Sequence, residues 1–178
     1  FVCLAVLAVS IAGSVFTAVF GNHIRSEEKN SMERCANEIA QLISNERMLS
    51  TFDRELPIPE YIAEATGYHV WVCNTSGVFF RTGNDNLAPS NLSDLDGKYQ
   101  NFIDDILRGY TLIGNDFEDM FGSGALSVGV PITVTENASR EIIGAVILHK
   151  DSESYNNLMT TAFIMIPFTI AAAGLIAL

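Results

Sequence analysis

LSVGVPITVTENASREIIGAVILHK, residues Leu126–Lys150, carries the strongest pattern in the chain. Leu126, Val128, Val130, Ile132 and Val134 alternate with Ala125, Ser127, Gly129, Pro131 and Thr133, and a period of two is the mark of a half-buried strand. Glu136 to Ser139 turns the chain into a second strand, Ile142 to Lys150, so the stretch predicts an antiparallel hairpin. Pro131 has no N–H for a ladder, which puts it at an edge or an unpaired position. The small residues of one face are expected to leave space beside the sheet.

The same period recurs upstream. Tyr68, Val70 and Val72 alternate with His69, Trp71 and Cys73, Asn74-Thr75-Ser76-Gly77 supplies a turn, and Val78 to Thr82 makes a second hairpin. Gly83 to Gly97 is a loop rich in Asn, Asp and Ser. Lys98 to Arg108 is an amphipathic helix with Tyr99, Phe102, Ile103, Ile106 and Leu107 on its buried face, closed by Gly109. Tyr110 to Gly114 reads as another strand, followed by the acidic loop Asn115–Met120 and the flexible Gly122-Ser123-Gly124. Pro57 and Pro59 interrupt the chain before a short helix, Glu60 to Thr66, which Gly67 ends. Asn22 to about Ser50 holds Met32, Cys35, Ile39, Leu42 and Leu49 at helical spacing. That stripe fits either a core face against a sheet or the seam of a coiled-coil dimer. The expected class is α+β, a long N-terminal helix and short helices packed on a five-stranded antiparallel sheet.

Charge sets the outer limits. The chain has 178 residues, 21 Asp and Glu against 10 Lys and Arg, and a formal charge of −11. Every charged residue lies between Arg25 and Glu153, and the mean hydropathy of +0.25 averages an acidic middle with two apolar ends. Phe1 to Gly21 and Leu158 to Leu178 each match the ~20 residues a helix needs to cross a bilayer. The first run is longer than a signal-peptide core and has neither a basic start nor an A-x-A-like end, so a retained anchor is expected. Pro167 in the second is tolerated in a membrane helix. The expected organisation is a transmembrane helix over 1–21, an extracytoplasmic domain over 22–157 and a second transmembrane helix over 158–178. Both ends stop inside apolar runs without an initiator Met, which reads as a segment of a longer protein. The acidic middle argues against nucleic acid as a partner and fits an exported domain tethered to membrane lipid.

Catalytic motifs are missing from this segment. Gly122-Ser123-Gly124 lacks the spacing of a nucleophile elbow, and there is no phosphate loop, His-Glu-x-x-His or Cys-x-x-Cys. His23, His69 and His149 read as structural or solvated. Asp94-Leu95-Asp96-Gly97 is not a calcium loop, because Leu92 and Ile103 stand where the first and last ligands belong. Three cysteines make no disulfide framework, and Cys35 and Cys73 are expected as reduced, buried thiols. Asn74, Asn91 and Asn137 each begin a glycosylation sequon, relevant only in a eukaryotic secretory pathway.

Val70–Phe79, Leu107-Arg108-Gly109, Val128-Gly129-Val130-Pro131-Ile132 and Ile142–Leu148 together resemble the extracytoplasmic PAS-like (single Cache, or PDC) sensor domains of bacterial sensor histidine kinases. The resemblance spans about Asn22 to Lys150, with Asn74 in place of the family's turn Asp. It implies a PAS-like sheet flanked by two membrane helices, a homodimer, and a small-molecule or protein signal received outside the cell. The ATP-using kinase and its response-regulator partner would then lie beyond Leu178. It also implies a ligand pocket using Trp71, Arg81, Tyr110 and Phe121, with Arg81 pairing to a carboxylate or phosphate and the aromatic rings stacking. No cofactor is implied within the segment. Alternatives are a divalent-cation sensor holding Ca2+ or Mg2+ on Asp116, Glu118 and Asp119, a methyl-accepting chemoreceptor input domain, and a two-pass membrane protein without signalling output.

Overall fold

The computed structural model describes residues 2–46, 57–80, 87–136 and 139–151, and for residues 2–18 the backbone alone. Two compact units divide the chain, one holding Phe1–Glu28 and Glu153–Leu178, the other Lys29–Ser152. Helix α1 runs without a break from Val2 to Glu46. Among the described residues no helix is long and apolar enough to cross a membrane. The second apolar run lies outside the described residues.

The larger unit is built on five antiparallel strands in the order β2-β1-β5-β4-β3. They are β1 (His69–Asn74), β2 (Phe79–Phe80), β3 (Leu112–Gly114), β4 (Leu126–Glu136) and β5 (Ser139–Lys150). The expected α+β class and five-stranded antiparallel sheet are therefore present. β5 lies in the middle, paired with β1 from His69↔His149 to Asn74↔Gly144 and with β4 along its whole length. The last hairpin is longer than its alternation suggested, since β5 begins at Ser139 rather than Ile142. A shift in the β4–β5 register falls between Ile132 and Thr133, a bulge of the kind that bends a long hairpin.

Two of the short helices differ from expectation in an informative way. Helix α2 (Pro57–Thr66) starts at the prolines instead of after them, because a first-turn residue needs no intrahelical N–H partner and proline's fixed φ suits it. The acidic loop contains a one-turn helix, α4 (Glu118–Phe121). Helix α3 (Gly97–Leu107) matches its predicted span within a residue and is followed, after its C-cap Arg108, by Gly109 at φ +104°. At the first hairpin Asn74 Oδ1 accepts hydrogen bonds from Ser76 N and Val78 N, both at 3.0 Å. The amide oxygen does the turn-capping work that a carboxylate would do.

Both faces of the sheet are buried. On one, Met32, Ala36, Ile39, Ala40 and Ile43 of α1 pack on Val70, Val72, Val128, Val130, Ile132, Val146 and Leu148. The apolar stripe is thus rotated from the predicted one: Leu42 is 40% exposed, Cys35 is only partly buried, and two alanines lie on the contact face. Small side chains let a helix approach a sheet closely, so alanine counts as core here although hydropathy alone understates it. Leu49 lies outside the described residues. On the other face Trp71, Cys73, Phe79, Phe102, Ile103, Ile106, Phe117, Phe121 and Ile147 form a second core.

That second core corrects one expectation. At Gly129 the small residues of β4 leave no space beside the sheet, because α3 fills it, whereas Pro131 and Thr133 of the same series line an open groove. A Cβ added at Gly129 would collide with Ile106 Cδ1 and press on Phe102 Cε1 at 3.2 Å. Glycine at this position is what admits the helix.

Candidate functional site

Ser127 and His149 are register partners on the face that α3 covers, and both are fully buried. Ser127 Oγ and His149 Nδ1 are 2.8 Å apart. The imidazole is surrounded by rings: Trp71, Phe117 and Phe121 each have centroids 4.4 Å away, and Phe121 stacks on it at 14°. Trp71 itself meets Phe79, Phe117 and Phe121 at 5.7 to 5.9 Å. Such a cluster binds its members tightly by area and by edge-to-face geometry. The serine and histidine have no exposed surface through which a substrate could reach them, so they form a structural polar pair.

Phe117 and Phe121 come from the acidic loop, and its carboxylates explain how they are held. Glu118 Oε1 accepts from Asn115 Nδ2 at 2.9 Å and from Gly124 N at 3.0 Å, closing the loop on itself. Gly122 and Gly124 have φ of +92° and +89°, a region that side chains disfavour. Asp119 pairs with Lys98 at the start of α3, and that carboxylate raises the lysine's pKa by hydrogen bonding to it. Asp116 is exposed. Among the described residues no group of three or more His, Cys, Asp or Glu could hold a metal ion.

The predicted ligand residues do not form one group. Trp71 and Phe121 are in contact inside the aromatic core, while Tyr110 is 61% exposed and lies in the turn after α3, its N–H bonded to the Asp105 carbonyl. Arg81 lies outside the described residues. Cys35 and Cys73 are free and pack against opposite faces of the sheet. Burial pushes the Cys73 thiol up to about 12, partly offset by a hydrogen bond with the Ala145 backbone. The Cys35 thiol is also raised, by burial and by Glu38.

An open feature among the described residues lies elsewhere in this unit. A groove of about 790 Å3 runs between the later turns of α1 and the outer edge of β4, lined chiefly by amides and hydroxyls. Its walls include Asn37, Gln41, Ser44, Thr133, Thr135 and Arg140. Sequence reasoning passed over it, since these residues come from three elements far apart in the chain and none belongs to a recognisable motif. A polar line at Asn37, Gln41, Ser44 beside the apolar stripe of α1, together with the small residues Pro131 and Thr133 of β4, is the signal that could have marked it.

No protein-family profile, curated protein or solved structure matches the chain.

Proposed function

We propose that the chain is the input region of a membrane-bound two-component sensor histidine kinase, with residues 22–157 an extracytoplasmic PAS-like sensor between two membrane spans. One observation carries this reading. Helix α1 is unbroken from Val2 to Glu46, so the helix that begins in an uncharged apolar run is also the one whose Met32, Ala36, Ile39, Ala40 and Ile43 pack on the sheet. The central strand β5 ends at Lys150, close in sequence to the second apolar run. A signal that binds one packing of α1 on the sheet better than another shifts the population of the two, and α1 is the element proposed to pass that shift on. The output, phosphorylation of a histidine from ATP and transfer to a response regulator, is assigned to chain beyond Leu178 in a homodimer. The segment itself needs no cofactor for this.

Two measurements test the reading. With the native cysteines replaced, Asp119→Cys should react with a membrane-impermeant maleimide in intact cells, and protection until the membrane is opened would overturn the orientation. Membranes carrying the full-length protein should incorporate acid-labile phosphate from ATP. A correctly oriented protein without phosphotransfer would leave the sensor fold in place and remove the kinase.

A further inference from the structure

β3 pairs with β4 only from Ser127 to Gly129, so among the described residues the outer edge of β4 from Pro131 onward carries no strand. That edge is closed to strand addition. Pro131 has no N–H to offer, and the Thr133 carbonyl already accepts a hydrogen bond from Ser44 Oγ at 2.7 Å. Both are devices that blunt an edge against another chain. What the groove beside it presents is side-chain chemistry. Asn37, Gln41 and Ser44 share one side of α1, since i, i+4 and i+7 fall together on a helix. Asn37 Nδ2 donates to the Glu33 carbonyl at 2.9 Å, which orients its amide and leaves Oδ1 and the second N–H as the groups it offers. Thr135 and Arg140 are register partners across the β4–β5 hairpin.

The charge of the lining selects the ligand. The chain carries 21 carboxylate side chains, yet among the described residues none lines the groove. A cation or an ammonium group would find no counter-charge there. Arg140 forms no ion pair among the described residues, and a guanidinium pairs in two-pronged fashion with carboxylate or phosphate. Amides and threonine hydroxyls both donate and accept, which suits a ligand that is itself hydroxylated. The volume falls in the ~300–1,000 Å3 range of small-molecule sites. We propose that this groove binds a monosaccharide-sized polyhydroxylated anion, with its acidic group on Arg140 and its hydroxyls on Asn37, Gln41 and Thr135. The proposal goes beyond the sensing reading and stands without it, because binding is measured as heat and signalling as phosphotransfer.

Calorimetric titration of the full chain in lipid nanodiscs with glucuronate, glucose 6-phosphate and glucose tests it. Saturable millimolar or tighter binding is expected for at least one of the two anions and not for glucose, and the anion that binds tells a carboxylate from a phosphate ligand. Arg140→Gln should weaken binding by about tenfold or more, and Thr135→Val by several-fold, with the melting temperature of the free protein unchanged. If Arg140→Gln unfolds the protein, Thr135→Asp, which adds a carboxylate at the exposed edge, should abolish the heat instead. No binding of either anion, equal binding of glucose, or binding that survives both Arg140→Gln and Thr135→Asp would overturn the proposal.

Discussion

The two faces of the sheet are packed by different means. The face under α1 is aliphatic and regular, with one helix stripe laid on alternate residues of β1, β4 and β5. The opposite face is aromatic and irregular: α3 supplies Phe102, Ile103 and Ile106, but the acidic loop supplies Phe117 and Phe121, and a buried Ser127–His149 pair sits among the rings. A helix stripe buries area through many interchangeable contacts. The aromatic face depends on a few large side chains delivered by a loop, so its stability is concentrated in fewer residues.

That contrast can be broken by substitution. Trp71→Ala should cost about 3–5 kcal/mol, because a fully buried ring that meets Phe79, Phe117, Phe121 and His149 is lost; a urea midpoint shifted by much less would mean the aromatic face is loosely packed. Ile39→Ala should cost about 2–4 kcal/mol, less than Trp71→Ala, since the neighbouring alanines and Ile43 can close partly on the gap. A larger loss there than at Trp71 would reverse the comparison. Gly129→Ala should cost about 1–3 kcal/mol by overpacking against Ile106 and Phe102, and trimming the opposing side chain with Ile106→Val should recover part of it. An additive pair would show that the two residues do not meet.

The pH dependence sharpens the same contrast. Cys73 is buried on the aromatic face and its folded pKa, about 12, lies above the ordinary thiol value of 9.0. A thiol raised in the folded state contributes fully below pH 9 and loses that contribution as the pH climbs from 9 towards 12, since the unfolded chain ionises first. The expected slope is at most about 1.4 kcal/mol per pH unit, and Cys73→Ala should flatten it relative to the parent. In a Cys3→Ala background, Cys35 on the partly open α1 face should alkylate well before Cys73. The smallest effect is expected at the surface: Lys98→Ala, which removes an exposed ion pair to Asp119, should leave the melting temperature unmoved. A clear drop would mean that this pair, and not Glu118, holds the loop that carries Phe117 and Phe121.

The aliphatic face was largely legible in the residues themselves. Alternation in Leu126–Lys150 and Tyr68–Cys73 marked three strands, and Asn74 and Gly77 marked a turn, because each pattern is local and repeats within a few residues. The aromatic face was only half legible. Phe117 was hidden in a loop read for its charges, His149 gave no sign of burial at a strand end, and Gly129 was read as space when it is the contact point of a helix. Each depends on a neighbour more than 20 residues away, and no periodicity encodes that.

Composition and pattern alone determined the acidic middle, the two uncharged ends, the five strands and the α+β class, since these follow from hydropathy and from backbone periods of two and 3.6. Only the tertiary structure decided the strand order, the burial of both sheet faces, the Ser127–His149 pair and the groove beside β4. Those arise where side chains from distant segments meet, and the energy of such meetings is set by shape and charge in three dimensions.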